Sequence, residues 1–107
     1  MLTFDRIYSK RDSIEKIRQG YLKDISSIDI LKNEELAAQI RIRIIMHNDV
    51  YLPITDDCYV KIFTNGSYEM TDVNLLSLSY NERHTRTALI NNIISKIMSC
   101  IEKDPKN

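Results

Sequence analysis

Ile40-Arg41-Ile42-Arg43-Ile44 is the segment that most limits what this chain can fold into. Strict alternation of a β-branched aliphatic with a cation matches the two-residue repeat of a pleated strand and fits no face of a helix. It sends three isoleucines to one side, for a core, and Arg41 and Arg43 to the other. Just upstream, Asn33-Glu34-Glu35-Leu36-Ala37-Ala38 has the form of a capped helix start, so residues 34–46 carry helix and strand signals together. We expect a helical turn followed by a strand.

More strand signals follow. Val50, Leu52 and Ile54 alternate after a turn at His47-Asn48-Asp49, and Pro53, which lacks an amide donor, marks an edge or an end. Thr55-Asp56-Asp57 reads as a second turn and Cys58 to Phe63 as a third strand leading into Asn65-Gly66. Asn-Gly is the strongest short-range hairpin signal. A two-residue turn there pairs Phe63 with Tyr68 and Ile62 with Glu69, which puts Phe63, Tyr68 and Met70 on the same face as Tyr59 and Lys61. A slip of one residue would turn every one of these side chains over.

Helical patterns bracket the strands. Ile14, Ile17, Tyr21, Ile25 and Ile28 recur at steps of three and four, which predicts a helix from roughly residue 12 to 26 with Gly20 inside it. Asp12 and Glu15 open it with capping-box spacing, and ahead of it Leu2, Phe4 and Ile7 read as a short extended arm. Val73 to Leu78 reads as a connector or short helix, and Ser79 to Glu82 again has capping-box spacing. The wide stripe of Leu89, Ile90, Ile93, Ile94, Ile97, Met98, Cys100 and Ile101 predicts a long final helix over Thr85 to Lys103. Together these elements predict an α+β two-layer sandwich: an N-terminal helix, an antiparallel meander of three or four strands and a long C-terminal helix. With 107 residues, the chain has room for a single domain over 1–107 with one core.

Charge and motif content narrow the function classes. The 15 basic and 15 acidic residues cancel, leaving no cationic excess for sequence-blind attraction to phosphate. The middle of the chain, residues 33–79, is acidic with three basic and seven acidic residues, while each end is net basic. No apolar run approaches membrane-spanning length and the N-terminus has no signal pattern, so the expected compartment is the cytoplasm. Cys58 and Cys100 stand far apart and are expected to be buried free thiols. His47 and His84 fall in a turn and in a polar helix start, where surface positions account for them better than an acid–base pair. The spacing of these cysteines and histidines matches no zinc finger, and Asp56-Asp57 is explained by turn formation. Phosphate-cradling glycine loops, nucleophile elbows and zincin helices have no counterpart here, so we expect no enzyme, no metal site and no cofactor.

The candidate site is therefore a surface. Arg41, Arg43, Tyr51, Tyr59, Lys61, Phe63, Tyr68 and Met70 would project together from the second sheet face, mixing cations with aromatic and apolar groups. Tyr and Arg are the residue types enriched at protein-interface hot spots. The expected function is a small non-enzymatic protein-binding module. Its size and isoleucine-rich composition suit a phage or mobile-element inhibitor or regulator that occupies a host protein's surface, or a homodimer that closes this face on itself. The alternative is a single-stranded nucleic-acid binder using Tyr51, Tyr59, Phe63, Arg41, Arg43 and Lys61, since aromatics interleaved with cations on a sheet also stack bases.

Overall fold

The isoleucine–arginine alternation lies in the second strand of a four-stranded antiparallel meander ordered β1-β2-β3-β4. The structure is a computed structural model describing residues 1–46, 54–72 and 80–102. The strands are β1 (Ile25–Leu31), β2 (Ala38–Met46), β3 (Ile54–Ile62) and β4 (Tyr68–Asp72). The described helices are α1 (Phe4–Tyr8), α2 (Arg11–Gln19) and α3 (Tyr80–Glu102). The expected two-layer α+β architecture is present, with four strands in the sheet. At residues 34–46 the strand prevails from Ala38 onward, preceded by a turn in which the Asn33 side chain accepts from the Glu35 amide.

One side of the sheet makes the core. Ala38, Ile40, Ile42 and Ile44 of β2 and Cys58, Val60 and Ile62 of β3 are buried on it together with Ile7, Ile14, Ile25 and the α3 stripe from Ile90 to Ile101. Ile94, Ile97 and Met98 of α3 line one small interior gap together with Ile40, Val60 and Ile62 of the sheet. At roughly 1.5–3 kcal/mol for each fully buried aliphatic side chain, this isoleucine layer is the main favourable contribution to folding. The helical layer is also tied by polar contacts, since Tyr21, just past α2, accepts at its hydroxyl from Lys96 (2.8 Å) and Asn92 (3.3 Å) of α3.

The N-terminal third departs from expectation. Leu2 to Ile7 is not an extended arm: Thr3 caps α1 through its hydroxyl, and Ile7 is carried into the core. The second helix begins at Arg11, with Lys10 as an N-cap lacking a side-chain bond, and Glu15 pairs with Arg18 instead of reaching back to Asp12. It ends at Gln19, with Gly20 as C-cap. Ile25 and Ile28 therefore belong to β1, not to the helix. The register explains the confusion. Ile25 pairs with Ile44 and Ser27 with Arg43, so Ser26 is a bulge, and the odd-numbered Ile25 and even-numbered Ile28 and Ile30 all turn toward the core side. A bulged strand thus reproduces the three-residue step of a helix face.

Asp56 and Asp57 are not in a turn. Both lie inside β3, opposite Ile44 and Arg43, and as consecutive strand residues they point to opposite sides. The Asn-Gly hairpin is present, but its loop has a different length. The Phe63 amide donates to the Ser67 carbonyl and the Gly66 amide to the Phe63 carbonyl, each at 2.9 Å, with Gly66 at a φ of 90°. This is a three-residue loop ending in a left-handed glycine, the form that closes with a bulge. It pairs Ile62 with Tyr68 and Lys61 with Glu69, one residue out of step with the two-residue turn. The proposed turn at His47-Asn48-Asp49, the strand positions 50–53, the connector at 73–78 and the cap at Ser79 lie outside the described residues.

Candidate partner-binding face

The outer sheet face is built from the residues that alternate away from the core. Row by row across the strands it carries Ser27, Arg43 and Asp57; then Asp29, Arg41, Tyr59 and Thr71; then Leu31, Gln39, Lys61 and Glu69. Each described helix sends its buried residues into the core on the other side, so among the described residues nothing packs over this face.

The two arginines reach in opposite directions. Arg41 donates from Nε and Nη2 to Asp29 Oδ2 on β1 at 3.3 and 3.1 Å, and the Ser27 hydroxyl donates to the same oxygen at 3.3 Å. Arg43 grips Asp57 on β3 as a fork, Nε to Oδ1 at 2.9 Å and Nη2 to Oδ2 at 3.3 Å. The hydrogen bond from Arg43 holds the Asp57 carboxyl below the usual aspartate range against a smaller opposing effect of burial, and the same bond raises Arg43. Side-chain exposures of 31% and 40% for the Arg41 pair, and 40% and 27% for the Arg43 pair, place both in partial contact with water. Ion pairs this open to water are screened and contribute little to stability, so their main effect is to order the face rather than hold the fold. Among the described residues, its three cations and three carboxylates balance.

Of the eight residues expected to share this face, Arg41, Arg43, Tyr59 and Lys61 do so. Tyr68 and Met70 do not. The one-residue shift of the hairpin turns them to the core side opposite Ile62 and Val60, where Tyr68 is 50% exposed and Met70 packs against the core margin. Phe63 opens the hairpin loop, half-buried, beyond the end of β3. Tyr51 lies outside the described residues. Asp29, Asp57 and Ser27 were missed because β1 looked helical and Asp57 looked like a turn. The alternation Ser27-Ile28-Asp29-Ile30 was the available signal for the first.

The other aspartate works on the inner side. Asp56 accepts from Arg86 Nη1 of α3 at 2.9 Å, and the arginine side chain is only 5% exposed. This pair pins the first turns of the long helix to the beginning of β3. His84 is exposed on α3, while His47 lies outside the described residues. Cys58 is buried and Cys100 half-buried, both as free thiols. Among the described residues no group of three His, Cys, Asp or Glu side chains converges as a metal site would require, and no helix is long and apolar enough to cross a membrane. Comparison with family models, curated proteins and solved structures finds no match.

Proposed function

We propose that this chain is a small non-enzymatic protein-binding module whose outer sheet face, centred on Tyr59 between the Arg41 and Arg43 ion pairs and Lys61, is the contact surface. The observation that carries this reading is that the face is ordered and uncovered at once: its charged groups are held in place by cross-strand pairs, and no described element packs over it. A preordered polar face loses little side-chain entropy on binding. Its balanced charges fit a non-obligate partner surface better than a permanent dimer, because the large hydrophobics most exposed among the described residues, Met1, Tyr8, Leu22 and Tyr68, all lie elsewhere. Phosphate binding has less support, since both arginines already have carboxylate partners. An inhibitor or regulator that occupies a partner's surface is the role such a face would serve.

The test compares the tagged protein with its Tyr59→Ala/Lys61→Ala variant as bait in an extract of its source with its nucleic acid left intact, at low and high salt. This reading expects a polypeptide retained by the wild type at high salt and lost from the variant. Nucleic acid released steeply as salt rises, or a polypeptide held equally by both baits, contradicts it.

A further inference from the structure

A second ordered surface stands on the helical layer. Phe4 and Tyr8, one turn apart on α1, stack with ring centroids 5.6 Å apart and planes 20° from parallel. The Arg11 guanidinium lies 4.7 Å over the Tyr8 ring, and Lys32, just beyond β1, places its ammonium 5.7 Å from the Phe4 centroid. Arg11 is fixed further by donating to the Tyr8 carbonyl at 3.1 Å. The result is a column of cation, ring, ring and cation. Asp5 and Asp12 are close in sequence, but they occupy the first turns of α1 and α2, where negative charge favours helix N-termini. Neither Arg11 nor Lys32 has a carboxylate at ion-pair distance among the described residues.

We propose that this cation-capped aromatic column is a docking surface for an acidic segment of another protein. Charge complementarity supplies the argument, because among the described residues neither cation of the column has a carboxylate at ion-pair distance. Ring geometry chooses the class of partner. A nucleobase needs an open aromatic face to stack on, whereas here each ring has the other ring against it and a cation over it. Phe4 is half-buried against the core, so the accessible groups are those of Tyr8, which is 45% exposed, and of the exposed Arg11 and Lys32. Carboxylates and small side chains can use those groups, and the rings hold the cations in place before the partner arrives.

The experiment is an amide-resolved NMR titration of the whole chain with a short peptide alternating Glu and Ser, and separately with a short oligothymidylate, at low ionic strength. The expected result is saturable shifts at Phe4 to Arg11 and at Lys32 with the peptide, with Tyr59 unaffected. Affinity should fall on the order of tenfold in the Arg11→Gln/Lys32→Gln variant. Both substituted residues are exposed, so the fold should persist, and the single variants, each checked by thermal melt, give a second reading. Absence of saturable binding, shifts scattered over the surface, or an affinity unchanged in the variants overturns the proposal. Oligothymidylate binding at the same amides with equal or greater affinity also overturns it, in favour of a nucleic-acid surface.

Discussion

Two adjacent aspartates show how far the environment of a residue decides its worth. Asp56 faces inward to a nearly buried arginine, and Asp57 faces outward to a half-exposed one. Removing one partner of a buried pair strands the other charge away from water, at a cost of about 3 kcal/mol, while losing an exposed pair costs under about 1 kcal/mol. In urea denaturation, Asp56→Ala should therefore lower stability by about 3 kcal/mol and Asp29→Ala by less than about 1 kcal/mol. Asp57 also gives the fold a defined acid sensitivity. Its carboxyl is lowered in the folded state, so its contribution is full above the unfolded aspartate value and fades as pH falls below about 4 through the lower folded value. A stability–pH curve should lose part of its slope in that window in the Asp57→Asn variant and be unchanged in shape above it.

At the level of elements, the hairpin between β3 and β4 carries the most information. Gly66 sits at a φ of 90° with open space where a Cβ would go, so substitution there is opposed by backbone conformation and not by crowding. Gly66→Ala should cost about 1 kcal/mol in urea denaturation and Gly66→Asn clearly less, since Asn tolerates the left-handed region. An equal loss for both would mean that the loop is held by something other than that conformation. This loop also explains what the sequence could and could not convey. The Ile40–Ile44 alternation and the Ile90–Ile101 stripe are long, regular and backed by burial, and both elements were legible together with the face each presents. Asn65-Gly66 announced a hairpin, yet loop length is set by where the chain bends, and a single residue moved Tyr68 and Met70 across the sheet. β1 was hidden for the same kind of reason, because the bulge at Ser26 gave Ile25 and Ile28 helical spacing. Hence the arginines of the candidate face could be read in advance, and their aspartate partners could not.

For the molecule as a whole, one isoleucine-rich core lies between the sheet and the described helices, and among the described residues nothing packs over the outer sheet face. Its ion pairs balance, and its aromatic content is centred on Tyr59, so the free protein has little to gain by closing this face on a second copy. Sedimentation velocity over a wide concentration series, at low and high salt, tests that most directly. The account predicts one species at the 12.5 kDa monomer mass under every condition, for the wild type and for Tyr59→Ala/Lys61→Ala alike. A dimer that ignores salt and dissociates in that variant would contradict it, because the face would then be consumed by self-association and no longer open to a different partner.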